Sequence, residues 1–152
     1  MTTQRSPAPG SSTPDPVAAR FFRVDVGETI GYFTECSGLE MEYDVFEYEE
    51  GGVNDFVHKL RGRMKFPNLV LKRGITHEEA FFRWFLACRE KTSRRDLSIS
   101  LLGPDLKPVR TWSFAGAFPV KWSGPAFNAS ASEAASETVE IAHQGLKSVE
   151  AG

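Results

Sequence analysis

The sequence predicts a mainly β fold, an antiparallel β-barrel or two packed sheets with one flanking α-helix at about residues 77–92. Two patterns carry this expectation. Several short runs, bounded by glycines, alternate apolar and polar residues with a period of two, the mark of half-buried strands. One segment, "THEEAFFRWFLACREKTSRR", instead repeats its apolar residues at helical spacing. Roughly eight or nine short strands around a single helix point to sheets packed face to face or closed on themselves, arrangements that leave few open edges.

Folded sequence is expected over residues 20–147. Residues 1–19, "MTTQRSPAPGSSTPDPVAA", are rich in Pro, Ser and Thr and hold little to bury, so they read as a flexible arm. Residues 148–152 read as a C-terminal tail. The first strand is "RFFRVDVG", with Phe22, Val24 and Val26 on one side. "ETIGYFTECSG" follows a tight turn at Gly27 and completes a hairpin. From Leu39 to Tyr48 the alternation resumes, with Met41, Tyr43 and Val45 on one face and Glu42 and Asp44 on the other. "DFVHKLRGRMK" reads as the returning strand, and "NLVLKRG" as a short one stopped by Gly74.

In the helical segment Phe81, Trp84, Phe85 and Cys88 fall at i, i+3, i+4 and i+7, one face of a helix, so this stripe is expected to be structural. Thr76 and Glu79 have the spacing of a capping box, and Lys91, Arg94 and Arg95 stand at or past the far end, where they suit the helix dipole. "DLSISLLG" then alternates, with Leu97, Ile99 and Leu101 inward. "VRTWSFAGAFPVKWSG" reads as a long strand bent or bulged at Gly116 and Pro119, and "ETVEIAHQGLK" as the last strand.

Composition narrows the function. A chain of 152 residues with 41% hydrophobic and 25% charged residues is one ordinary globular domain. Its formal net charge of -2 offers no global attraction to nucleic acid or anionic membrane. No apolar run reaches the roughly 18 residues of a transmembrane segment, and the N-terminus lacks the apolar core of a signal peptide. Cytoplasmic synthesis and assembly are expected, so an extracellular role requires lysis or an exporting machine.

Chemistry is scarce. His58, His77 and His143 are dispersed, "HEEA" lacks the second histidine of a zinc-hydrolase helix, and "CSG" is not a nucleophile elbow. Cys36 and Cys88 have no metal or disulfide spacing and sit among apolar residues, as buried thiols do. No catalytic residue, cofactor or metal site is expected. A small soluble enzyme or ligand-binding barrel remains only as a weaker alternative.

The most distinctive stretch is "EYEEGGVNDFVHKLRGRMKFPNLVLKRG". Glu40, Glu42, Asp44, Glu47, Glu49 and Glu50 are matched by Lys59, Arg61, Arg63, Lys65, Lys72 and Arg73 across Gly51 and Gly52. A nucleic acid would be repelled by half of that surface, and few aromatics interleave the bases, so no specific nucleic-acid site is expected. Two readings stay open. The charges pair across one hairpin, or the hairpin projects and its acidic and basic faces meet different neighbours, as a head-to-tail, ring-forming contact requires.

The pieces "FTECSGLE", "EYEEGGVN", "HKLRGR" and "NLVLKRG", in this order and spacing, resemble the tail-tube family of contractile-tailed phages and phage-derived contractile injection systems, related to the haemolysin-coregulated tube proteins of type VI secretion. The resembling run covers about residues 21–124, and Arg61 stands where the family pattern has proline. The resemblance implies a structural inner-tube subunit: homohexameric rings, stacked into a hollow tube inside a contractile sheath, driven through a target envelope to deliver cargo. It implies as partners further copies of the chain, the sheath protein, the baseplate tube-initiator, the tube-terminating cap, and a tape-measure protein and cargo in the lumen. A baseplate tube-initiator of the same fold is the alternative role. The hairpin would then reach neighbouring subunits, making Glu47, Glu49, Glu50, Gly51, Gly52, Asn54, His58, Lys59, Arg61 and Arg63 the candidate stacking contacts.

Overall fold

The computed structural model describes residues 21–49, 57–75, 78–125 and 135–151. In chain order these form β1 (Phe21–Val26), β2 (Glu28–Phe33), β3 (Glu35–Ser37), β4 (Glu42–Glu49), β5 (Val57–Lys65), β6 (Leu69–Gly74), α1 (Ala80–Ala87), β7 (Arg95–Leu102), β8 (Pro108–Ser123), β9 (Ser136–Ala142) and β10 (Leu146–Ala151). The antiparallel order is β2-β1-β7-β8-β9-β6-β3, with β10 also on β8, while β4 and β5 pair only with each other.

Three strand runs turn the corner between the two packed halves. The first half of β8 pairs with β7 and β10, and its second half with β9. Gly116 marks the change, at φ 58. A positive φ there suits glycine, because a Cβ would crowd the neighbouring backbone. Its Cβ would also lie 2.6 Å from the Gln144 side chain. The run β9–β10 bends at the same level: Gln144 N–H donates to the Ala115 carbonyl at 2.8 Å, and Ala115 N–H to the Gly145 carbonyl at 3.0 Å. On the other side β2 pairs with β1 and the adjoining β3 with β6. Between them Thr34 N–H donates to the Lys72 carbonyl at 2.9 Å. Strands that switch sheets through bends are how two sheets share one core.

That core is Val24, Val26, Ile30, Phe33, Leu69, Leu71, Leu97, Ile99, Phe114, Val139 and Ile141, with Ala80, Phe81 and Trp84 of α1 packed on it. The alternation of β1 therefore faces inward as the sequence predicts, and β6 and β9 bury Leu69, Leu71, Val139 and Ile141 in the same way. In β7 it does not hold to the end. Leu101, on the core-facing parity, is only half-buried, while Leu102, on the parity of buried Ser100, is buried; the pairing with β8 shifts register between them. On the opposite face Ser98 and Ser113 lie 3.3 Å apart, and Ser100 and Thr111 2.9 Å apart, a short hydroxyl ladder.

The helix is shorter than the expected 77–92. Its N-cap is Glu79, without a side-chain capping bond, and Thr76 of the expected capping box lies outside the described residues. At the other end the backbone tightens: Cys88 N–H is shared by the Trp84 and Phe85 carbonyls, and Arg89 N–H reaches Leu86. The chain then folds back, with the Trp84 indole N–H donating to the Ser93 carbonyl at 3.1 Å. The basic residues expected at the dipole serve elsewhere. Arg94 stacks its guanidinium over Phe118 at 4.6 Å, and Arg95 begins β7. The expected tail is also corrected, since Ser148 to Ala151 pair with Ser113 to Arg110 as part of β10.

A buried ion pair braces the second sheet. Arg73, 4% exposed, pairs through Nε with Glu137 directly opposite on β9. Its guanidinium lies over the Phe33 ring at 4.8 Å, and Glu137 also accepts from the Trp122 indole at 3.0 Å. Nη1 presses on Gly31, where an added Cβ would come within 2.1 Å.

Two outcomes follow for stability. Trp84→Ala removes a ring that is 4% exposed together with its bond to Ser93, and should cost about 3–5 kcal/mol in denaturant unfolding. An unchanged midpoint would mean the ring packs on nothing that matters. Glu137→Ala strands the buried Arg73 charge and should cost about 3–5 kcal/mol. Replacing both partners by apolar residues should recover part of that loss, and an equal or larger loss would refute the stranded-charge explanation.

Candidate assembly surface

The ribbon β4–β5 is built by strict pairing. Opposed residues are Glu42 and Lys65, Tyr43 and Met64, Val45 and Arg61, Phe46 and Leu60, Glu47 and Lys59, Tyr48 and His58, and Glu49 and Val57. The register slips once, between Tyr43 and Val45, leaving an extra residue on β5 beside Gly62. Gly62 fits there without moving its neighbours, since a Cβ would meet the Phe46 ring at 2.4 Å and push that exposed ring aside.

Opposed residues share a face, so the register assigns each side its chemistry. One face carries Glu42, Asp44 and Lys65 at the root, then Phe46, Leu60, Tyr48 and His58 outward. The other carries Tyr43, Met64, Val45 and Arg61 at the root, then Glu47, Lys59, Glu49 and, at its end, Val57 outward. Charge and apolar surface are thus exchanged between the two faces. Lys65 Nζ bonds Asp44 at 2.7 Å, and this bond together with the nearby carboxylates raises the lysine pKa. Arg61 lies over the Tyr43 ring at 5.0 Å.

Both faces are open to solvent. Phe46 is 60% exposed, Leu60 53% and Val45 59%, and Tyr43, Tyr48, Val57 and Met64 are exposed as well. A two-stranded ribbon is marginal by itself, and apolar patches of this kind mark contact surfaces. Smaller patches lie on the body. Phe82 of α1 meets Trp122 of β8 edge-on at 5.3 Å, and Phe21, Tyr32 and Leu106 line a hollow of about 290 Å³.

The sequence-predicted contacts divide accordingly. Glu47, Glu49, His58, Lys59, Arg61 and Arg63 are all on the ribbon. Glu50, Gly51, Gly52 and Asn54 lie outside the described residues. Phe81 and Trp84 are buried and Phe85 is half-buried against the core. Charge reasoning missed the apolar half of the surface. The available signal was the presence of large apolar residues at both parities of one short strand, Val45 with Phe46 and Tyr48, which a strand covered on one face does not need.

The described residues offer little for catalysis. Among them no group of three or more His, Cys, Asp or Glu could hold a metal ion. Burial pushes the Cys36 thiol up to about 12, far from a reactive thiolate.

Comparison with known proteins agrees with the geometry. A family model described as T4-like virus tail tube protein gp19 matches residues 18–147. A chain of the sheath–tube complex of PVC, an extracellular contractile injection system, in its extended state is 26% identical with a TM-score of 0.78, over 92% of this chain and 95% of that one. A chain of the anti-feeding prophage tube-terminating cap structure is 25% identical with a TM-score of 0.78, over 93% and 95%. Hcp1 from Flavobacterium johnsoniae shares the fold at 16% identity and a TM-score of 0.52, over 87% and 96%. Among curated proteins none matches. The family match spans nearly the whole folded chain, through both sheets, the ribbon and the helix, and on that ground the chain belongs to the T4-like tail tube protein family.

Proposed function

We propose that this chain is the repeating inner-tube subunit of a contractile injection system or phage tail, assembling as homohexameric rings that stack into a hollow tube. The observation that carries the reading is the ribbon, whose apolar residues stand in solvent on both faces of the isolated subunit. A neighbouring copy is the partner always at hand, and one contact repeated by rotation and translation closes a ring and extends a tube. Likeness to chains of a sheath–tube complex and a tube-terminating cap structure supports a sheath protein and a cap as further partners. The role is structural: the subunit supplies a rigid wall that a sheath drives into a target envelope, with cargo and a tape-measure protein in the lumen. Assembly would take place in the cytoplasm, as part of a phage-tail-like particle. Residues 1–19 are proposed as an arm outside the barrel domain.

Electron microscopy of the purified chain, with and without its sheath, tests this directly. Rings of six and stacked tubes are expected, and monomer alone at high concentration with sheath present would refute the reading. Substitution separates assembly from folding. Phe46→Ser with Leu60→Ser should leave the unfolding midpoint of the subunit within about 0.5 kcal/mol, as surface changes do, yet abolish tubes. Normal tubes from that variant would remove the ribbon from the interface. The charges give a second outcome. Glu47→Lys places two cations opposite each other and should reduce stacking, while adding Lys59→Glu restores the pair in reverse. Recovery in the double variant assigns the charges to pairing within one ribbon. Failure to recover assigns them to contacts between copies.

A further inference from the structure

The ribbon joins the barrel through Phe66, Pro67 and Asn68, the link between β5 and β6. That link is fastened by one side chain from the far end of the chain. His143, 8% exposed, stacks on Phe66 with ring centroids 4.7 Å apart and leans on Phe114 of β8 at the same separation. Both ring nitrogens are engaged. Gly145 N–H donates to Nδ1 at 3.0 Å, so Nδ1 presents its lone pair, and the proton sits on Nε2, which donates to the Pro67 carbonyl at 3.2 Å. A backbone N–H cannot accept, so this pairing admits only the neutral ring. A second proton on Nδ1 would oppose two donors between two phenyl rings.

We propose that His143 is a proton-operated latch on the root of the β4–β5 ribbon. Neutral, it clamps Phe66 and Pro67 against β8. Protonated, it releases them, and the ribbon swings from its root. The inference rests on the geometry of one subunit and does not depend on the tube reading. Burial holds the His143 pKa below the ordinary histidine value, and the bond to Pro67 opposes that shift only in part. The closed state therefore binds fewer protons than the open one. Closure is complete above the open-state pKa of about 6.5 and weakens as pH falls from there toward the closed-state value.

Other charged groups border the same elements. Glu40, Glu42 and Lys65 surround the hollow beside Phe66 and Pro67. Glu140 of β9 accepts from Asn68 at 3.0 Å, and Lys147 pairs with Asp96 between β10 and β7. None bonds His143 among the described residues. His58, opposite Tyr48, is a second histidine on the ribbon itself and serves as the control.

Hydrogen exchange of the full chain at about pH 7.5 and about pH 5 tests the latch, with rates corrected for intrinsic pH dependence and the assembly state matched by light scattering. Protection at Gly145, whose N–H the ring holds, and at Leu69, the first residue of β6 after the link, should fall by up to about 30-fold, the ceiling for a histidine that stays neutral when closed, while β1 and β7 keep theirs. The midpoint should coincide with the His143 ring titration followed by NMR in the native chain. In His143→Gln, whose amide can serve both backbone partners without titrating, the pH dependence should vanish; in His58→Gln it should remain. A root indifferent to pH would overturn the proposal. So would loss of protection spread evenly over all strands, or a dependence that survives His143→Gln. If the glutamine variant does not fold, a midpoint in the native chain that departs from the His143 titration overturns the latch by itself.

Discussion

A two-stranded ribbon has two faces, and this subunit covers neither. Everything distinctive about the molecule follows from that constraint. The body of the subunit solves its own burial problem, with both packed sheets and the helix converging on one core. The ribbon does not, and its apolar residues cannot all be hidden by a change of register, because they occupy both parities. Charge is distributed with the same logic. Where one face is mainly charged the other is mainly apolar. Repetition turns such weak, mixed contacts into a wall, since each one is multiplied by the symmetry of the assembly.

The two packed sheets give that ribbon a rigid root. The corners do this. Gly116 and the 143–145 segment bend β8 and β9–β10 together, and Thr34 ties the β2–β3 bend to β6. The Arg73–Glu137 pair then locks β6 against β9 immediately after the ribbon's return. A buried pair of this kind adds little net stability over apolar packing, but breaking half of it is costly, so it penalises any shift of register. His143 sits at the corner and grips the ribbon's root, joining the stiffness of the barrel to the orientation of the arm.

Local chemistry made much of this legible in sequence. Alternation identified β1 and most of β7, and helical spacing identified Phe81, Trp84 and Phe85. The helix ends were not legible. Their position depends on the turn at Cys88 and on Trp84 reaching Ser93, contacts between residues that periodicity does not compare. The β10 pairing was hidden for a related reason: Ser148 to Ala151 carry weak alternation and are held by β8 through backbone bonds. Leu101 is left half-buried, and Leu102, of the other parity, is buried where a bulge in the partner strand shifts the register. The ribbon's charges were visible as a run of acids followed by bases. Its exposure was not, because alternation reports that a face will be covered without saying by which molecule.

The central claim is that neighbouring copies cover both faces of the ribbon. The most direct measurement is thiol accessibility at one position on each face. With Val45→Cys and Leu60→Cys introduced separately, the rate of maleimide labelling is compared between dissociated subunits and assembled tubes. Both positions are exposed in the subunit and should label rapidly there. Both should become many-fold slower in the tube, with Cys36 and Cys88 setting the background. Equal rates at both positions in subunit and tube would contradict the account and leave the ribbon as an arm that assembly does not use.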